Sequence, residues 1–251
     1  LPVIEFPRDF AISAHGVAHD GPIALKMGIG GYPRMAEELF VQRAIIVCSN
    51  LGARVHLTSI SSSGSVELLR EAKIKGISVT ADSTPHHLAL TDECLLGYDS
   101  NSKTMPPLRE ERDRRAIVEG VKDGTIDCIS SAHEPWHKHE KEVEFDLAPA
   151  GVIGYETALS VVFGELSKSL EDPFPLITRI MSLNPAQVLD VDTGIAEGKY
   201  ANLFVFDPRG NWTYKVRQGR SAAKNSPFED FAMNGSVSMT FSNGKKVFPA
   251  S

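Results

Sequence analysis

The sequence predicts an α/β fold: four strand–helix units, half the complement of a (β/α)8 barrel or else a small open sheet, followed by a small antiparallel β module. Three observations carry this. Short apolar runs alternate with longer segments of helical period through the first two-thirds of the chain, the order expected of βα units and a parallel sheet. The strand candidates are continuous apolar runs, as in a sheet covered on both faces. After about residue 190 the pattern changes to closely spaced strands around turn residues.

The elements follow in order. Leu1 to Phe6 is a short apolar run and the first strand. Pro33 to Leu51 has apolar residues at helical spacing, with Pro at its start and Gly52 at its stop. Arg54 to Ile60 is a strand, Ser65 to Lys75 a helix closed by Gly76, and Ile77 to Asp82 the next strand. Glu110 to Lys122 is a charged amphipathic helix closed by Gly124, and Thr125 to Ser130 is a strand. Helices are expected over Tyr155 to Ser167 and Pro173 to Ser182, with a short one after Asn184-Pro185. In the tail, strands are expected over Asn202 to Asp207, Asn211 to Val216, Ser236 to Phe241 and Lys245 to Phe248. The last two flank Ser242-Asn243-Gly244, a strong hairpin signal. The expected division is therefore residues 1–190 for the βα part and 191–251 for the β module.

Composition excludes several functions. The chain has 251 residues, 42% hydrophobic and 23% charged, enough to bury a sizeable core. Its net charge is −6 and no basic run exceeds two residues, so it lacks the electrostatic footprint of a nucleic-acid binder. No stretch approaches the length of a membrane span, and the first residues lack a signal-peptide pattern. Cys48, Cys94 and Cys128 read as reduced core cysteines, which places the chain in the cytoplasm. A chain opening at Leu1 inside a strand-like run is expected to lack an N-terminal part.

Chemistry in α/β barrels sits at the C-terminal ends of the strands. Here those ends read Phe6-Pro7-Arg8-Asp9, Ser59-Ile60-Ser61-Ser62, Asp82-Ser83-Thr84-Pro85-His86-His87 and Ser131-Ala132-His133-Glu134-Pro135. With Lys103-Thr104-Met105-Pro106-Pro107-Leu108-Arg109, Asp123-Gly124-Thr125-Ile126-Asp127, Gly151-Val152-Ile153-Gly154-Tyr155-Glu156-Thr157 and Asn184-Pro185-Ala186, they resemble, in order and over nearly the whole chain, the motifs of dihydroorotases of the cyclic amidohydrolase superfamily. The resemblance implies the C-terminal half of an amidohydrolase-type (β/α)8 barrel with a small β module. It also implies zinc-dependent, reversible cyclisation of carbamoyl-aspartate to dihydroorotate in pyrimidine synthesis. In that chemistry zinc activates a water and an Asp moves the proton.

Carried over residue by residue, the resemblance exposes losses. The family's His-x-His on its first strand lies outside this sequence. The ligand His of a His-x-Glu-Asp motif is matched by Phe6, with Asp9 retained. The ligand His of His-x-x-His-x-Ser-Thr is matched by Ser59, and the catalytic Asp of Thr-Asp-His-Ala-Pro-His by Ala132. Two substrate contacts, a His and an Asn, are matched by Trp136 and Met105. Phe and Ala cannot ligate zinc, a neutral hydroxyl is a poor ligand beside imidazole, and Ala132 cannot accept a proton. Random decay would damage scaffold and site alike, so selective loss at the site points to a fold kept for another purpose.

The remaining candidates are weaker. His137-Lys138-His139-Glu140 has His-x-His spacing but reads as a solvated charged loop. His86 and His87 read as loop support, His56 as a satisfied core histidine, and Arg109 and Asp127 as structural ion pairs or caps. His15 and His19, in a Gly-rich segment, read as exposed. The possible pocket comprises Asp9, Met105, His133 and Trp136. Asp9 and His133 form an acid–base pair only if both face one cavity. The expectation is a zinc-free, non-catalytic dihydroorotase homologue, part of a homo- or hetero-oligomer, with aspartate carbamoyltransferase as its partner. The alternatives are an active zinc-dependent dihydroorotase or related cyclic amidohydrolase, and a small-molecule binding module that uses Met105 and Trp136.

Overall fold

The computed structural model describes residues 2–249; Leu1, where the first predicted strand begins, and residues 250–251, the end of the predicted β module, lie outside them. β1 (Val3–Glu5) is followed by α1 (Phe10–Ser13), β2 (Ala18–His19), α2 (Pro22–Met27), β3 (Gly31–Tyr32) and the long α3 (Met35–Leu51). Two regular units come next: β4 (Val55–Leu57) with α4 (Ser63–Ile74), then β5 (Val79–Ser83) with α5 (Pro85–Ala89) and α6 (Glu111–Asp123). β6 (Cys128–Ile129) leads through α7 (Lys138–Lys141) to α8 (Ala158–Ser167), α9 (Phe174–Thr178) and α10 (Asn184–Leu189). The tail holds β7 (Leu203–Thr213), β8 (Ala232–Ser242) and β9 (Lys245–Phe248).

The barrel-type sheet is parallel, in the order β1-β4-β5-β6, with His56 in register with Ile4 on one side and Thr80 on the other. Helices α3, α4, α6 and α8 lie against it and supply Val41, Leu69, Ile117 and Leu166 to one core around Leu57. Full burial of each such side chain contributes roughly 1.5–3 kcal/mol. Local chemistry sets the helix limits. Ser62 caps α4 by accepting from Ser65 N, while Gly52 and Gly124 end α3 and α6 in the left-handed conformation. Gly120 lets α6 approach α4, since a Cβ there would lie 3.0 Å from Val66 Cγ1.

The second sheet is antiparallel, in the order β7-β8-β9. It rests on α8 through Ser160 Oγ donating to Gly235 O (2.8 Å) and the edge-on pair Phe163–Phe206. The two strands expected over Asn202 to Asp207 and Asn211 to Val216 are one strand, β7. Its pairing with β8 is interrupted between Asp207 and Asn211 and then resumes, so Pro208 to Gly210 form an irregularity within a strand rather than a turn between two. Likewise, α9 runs into α10 through a π-helical turn, Arg179–Leu183, ahead of Pro185, which has no N–H to extend an α-helical ladder. Among the described residues no helix is long and apolar enough to cross a membrane.

The segment between β1 and α3, where no element was expected, is ordered around close backbone contacts. A Cβ on Gly16 would lie 2.6 Å from Tyr32 Cα, and one on Gly30 would lie 2.0 Å from His15 O. These glycines bring β2 beside β3 and carry His19 inside. His15 is exposed as expected, but His19 is buried, at 1% exposure.

Candidate functional site

A cavity of about 450 Å³ opens at the C-terminal ends of the barrel strands. Phe6 enters it from the end of β1, Ser59 from β4, His86 from β5, and Ala132 and His133 from β6, with Met105 on the facing loop. Ser59 (φ 62°) and Ala132 (φ 44°) both hold left-handed backbone, which is uncommon outside glycine, asparagine and aspartate and costs of order 1–3 kcal/mol. The surrounding structure supports Ser59: its N–H donates to Asp82 Oδ1 (2.9 Å), which also accepts from Ser130 Oγ (2.8 Å). The other carboxylate oxygen of Asp82 meets His56 Nε2 at 2.9 Å, and His56 Nδ1 meets Thr80 Oγ1 at 2.9 Å. Both nitrogens of His56 are thus engaged in a buried polar network beneath the cavity.

His133 is held firmly. Its Nδ1 faces the N–H groups of Gly154 (3.2 Å) and Tyr155 (3.4 Å), and its ring stacks on Tyr155 at 4.1 Å. Two donors at Nδ1 leave the ring proton on Nε2. His86 is buried against His87, and burial pushes its imidazole well below the ordinary range, with His87 adding to the effect. His87 bonds Thr84 Oγ1 (2.8 Å) and Pro107 O (3.3 Å) and is held down to about 4, mainly by burial. Burial raises the Glu134 carboxyl, against the pull of Lys141.

The wall after His133 is fastened from behind. Lys103 Nζ donates to the carbonyls of Phe145 and Ala148, and Lys141 Nζ to those of Pro149 and Gly151. Asn225 Nδ2 donates to Glu134 O and Gly151 O.

Two residues of the expected pocket lie elsewhere. Asp9 is the N-cap of α1, its Oδ1 accepting from Ala11 N (2.9 Å) and Ile12 N (3.1 Å), and it does not line the cavity. A carboxylate four residues beyond the end of β1 is drawn to the nearest free helix N–H groups. The conditional acid–base pair of Asp9 and His133 therefore does not form. Trp136 is turned into the loop, with its N–H on Asn225 Oδ1 (3.1 Å) and Nε1–H on Ala150 O (2.9 Å). His137 to Glu140, expected as a loop, start the one-turn helix α7, where Glu140 caps the His137 N–H; His137 and His139 are exposed. Cys48 and Cys128 are buried and Cys94 half-buried, all as free thiols.

The donor set does not suit a catalytic zinc. At the ends of β1, β4 and β6 the positions carried over from the resemblance offer an aryl ring, a hydroxyl and a methyl group, and the cavity's two imidazoles, His86 and His133, belong to no three-donor cluster among the described residues. Among the described residues, the one cluster with metal-like spacing is His19, Glu110 and Asp113, outside the cavity. A guanidinium already fills it: Arg34 Nε lies 2.9 Å from Asp113 Oδ1, and Arg34 Nη2 lies 2.5 Å from Glu110 Oε2. His19 Nδ1 also faces a donor, Arg109 Nη1, at 3.2 Å, so its free Nε2 carries the proton and cannot ligate.

This cluster belongs to a hub that sequence reasoning missed. Arg109 Nε donates to Ser61 Oγ (3.0 Å) and Nη1 to Tyr32 O (3.0 Å), beside the fully buried Glu37. Glu37 in turn accepts from Ser61 N and Ser62 N (3.0 Å each). Glu37 carried no sequence signal beyond its place in a helix. A second hollow, about 320 Å³, lies at the opposite strand ends against Arg54, Ser78 and Asp127. Asp127 there pairs with Lys73 (2.7 Å) and accepts from Ala81 N, a structural use.

This fold and this cavity define a member of the amidohydrolase class. Residues 8–247 match the Amidohydrolase family, and the chain belongs to it. It is 41% identical over 245 residues to a protein named dihydroorotase from Thermoanaerobacter sp. (strain X514), covering 98% of this chain and 57% of that one. It is also 41% identical over 249 residues to one of the same name from Pelotomaculum thermopropionicum, covering 98% of this chain and 58% of the relative. The chain thus spans under three-fifths of the length of these relatives.

Two solved structures establish the fold. L-hydantoinase (dihydropyrimidinase) from Arthrobacter aurescens superposes with a TM-score of 0.86 at 22% identity, over 97% of this chain and 56% of that one. The inactive dihydroorotase-like domain of the Chaetomium thermophilum CAD-like multifunctional protein superposes with a TM-score of 0.62 at 17% identity, over 85% and 56%.

Proposed function

We propose that the chain is a dihydroorotase-family homologue of pyrimidine biosynthesis that holds no catalytic zinc, performs no ring chemistry, and acts in the cytoplasm as a structural partner of aspartate carbamoyltransferase. The observation that carries the non-catalytic reading is the convergence of Phe6, Ser59 and Ala132 on one cavity. Two of the three still hold left-handed backbone, yet Phe6 and Ala132 offer no ligand atom, Ser59 offers only a neutral hydroxyl that is a poor ligand beside imidazole, and none is a general base. The scaffolding role and the partner rest on the resemblance to inactive members of the family. An exposed apolar stripe on α3, formed by Met35, Leu39 and Ile46, supports a protein contact.

One reading competes with it. Identity of 41% to proteins named dihydroorotase favours an active zinc enzyme whose remaining ligands come from outside this sequence. Zinc content and dihydroorotate hydrolysis decide between them. The expected result is no stoichiometric zinc after incubation with the metal and no turnover, together with co-purification with aspartate carbamoyltransferase. Stoichiometric zinc with turnover establishes the enzyme instead.

A further inference from the structure

Away from the barrel cavity, a hollow of about 570 Å³ lies where the start of α2 meets the segment after α5 and the start of α6. Pro22 and Ile23 form its apolar side, and Asp92, Glu93, Glu110 and Glu111 bring four carboxylates to it. No residue lines both this hollow and the barrel cavity. Two of the four carboxylates are committed. Glu110 accepts from Arg34, and Glu111 is held by Arg114 (2.6 Å) and Arg115 (2.8 Å). Asp92 differs from them. It is only 3% exposed, and its Oδ2 has no hydrogen-bond partner. Burial and then Glu110 raise its carboxyl, Glu93 adds to the effect, and Arg34 opposes it. A buried carboxylate oxygen without a donor is costly, so the hollow is short of a cationic donor.

Few ligands supply one. An anion would be repelled by the four carboxylates. A hard divalent cation collects about six to eight oxygens, and Glu110 and Glu111 are already spent on guanidinium groups. A planar guanidinium suits two parallel acceptor oxygens, whereas Asp92 has one oxygen free. A primary ammonium carries three donors on a rotatable stem. One can reach Asp92 Oδ2 while the exposed Glu93 accepts another, and an alkyl chain then lies on Pro22 and Ile23.

We propose that this hollow is a binding site for a small alkylammonium ion, with Asp92 as its anchor, Glu93 as a second acceptor and Ile23 against its alkyl chain. The site is independent of the barrel cavity and holds whether or not that cavity takes zinc.

The test is calorimetric titration of the intact chain at neutral pH with n-butylamine, 1-butanol, tetramethylammonium chloride and magnesium chloride. At that pH n-butylamine is an ammonium ion. 1-Butanol has the chain without the charge, and tetramethylammonium has the charge without an N–H. n-Butylamine is expected to bind about tenfold more tightly than each of the others, as a charge-assisted hydrogen bond implies, and to raise Tm. Asp92→Asn keeps the shape and removes a carboxylate that burial disfavours. It is expected to weaken n-butylamine about tenfold without lowering the urea midpoint at neutral pH. If Asp92→Asn fails to fold, Glu93→Lys carries the test: at an exposed position it places an ammonium beside Asp92 and is expected to abolish binding. The proposal is overturned if n-butylamine does not bind, or if 1-butanol, tetramethylammonium or magnesium binds as tightly. Unchanged binding in folded Asp92→Asn or in Glu93→Lys overturns it as well.

Discussion

Lowering the pH from 7 to 5 should destabilise the fold, because three imidazoles that it keeps neutral become charged in the unfolded chain. His19 and His87 are both held down to about 4, chiefly by burial, with Arg109 adding to the effect at His19. His86 is also pushed well below its ordinary range, again by burial first and by His87 second. In the unfolded chain each titrates near 6.5. These folded values lie below the unfolded ones, so the native state binds fewer protons. The stability they contribute is complete above about pH 6.5 and is lost as pH falls toward 4.

Asp92 acts in the opposite sense. Burial, with Glu110 second, raises its carboxyl to about 6, so between about pH 6 and 4 the native state holds a proton that the unfolded chain lacks. Three protons taken up on unfolding, less one released, leave about two near pH 5. At about 1.4 kcal/mol per proton and pH unit, stability should fall by roughly 2.7 kcal/mol per pH unit there. Domains have about 5–15 kcal/mol in all, so most of the stability is expected to be gone before pH 4. Urea denaturation at pH 7, 6 and 5 measures the slope directly. His87→Gln, which keeps hydrogen-bonding groups toward Thr84 and Pro107, should remove about one of the two protons. A midpoint that stays flat between pH 6.5 and 4.5, or an unchanged slope in His87→Gln, would refute the reasoning.

Other perturbations test separate features. Arg109→Met leaves Glu37 buried without its guanidinium and should cost about 3–5 kcal/mol, read as a lower urea midpoint. Gly120→Ala places a methyl 3.0 Å from Val66 Cγ1 and should cost roughly 1–3 kcal/mol by overpacking α6 on α4. The combined variant Phe6→His, Ser59→His and Ala132→Asp rebuilds three donors around one cavity and should retain zinc through gel filtration where the parent chain does not, as judged by elemental analysis. Equal zinc in parent and variant would remove the argument from the donor set.

What the sequence determined by itself was local or periodic. Helix stops at Gly52 and Gly124 and the hairpin at Asn243-Gly244 depend on backbone conformations that few residues adopt, so they could be read without a fold. The βα alternation and the barrel rule also placed Phe6, Ser59, Ala132 and His133 at strand ends, and these ends do converge on one cavity. The motif pattern carried the family membership.

Tertiary structure decided which polar groups go inside and where they point. Asp9 looked like half of an acid–base pair, but the nearest unpaired helix amides took its carboxylate. Trp136 looked like a pocket residue and instead bonds Asn225, 89 positions away. His19 looked exposed and is buried against Arg109, 90 positions away. The physical reason is range. Caps and turns are settled within a few residues, whereas burial of an imidazole or a carboxylate depends on partners from distant parts of the chain. Such partners meet only when glycines such as Gly16 and Gly30 let the backbones close together.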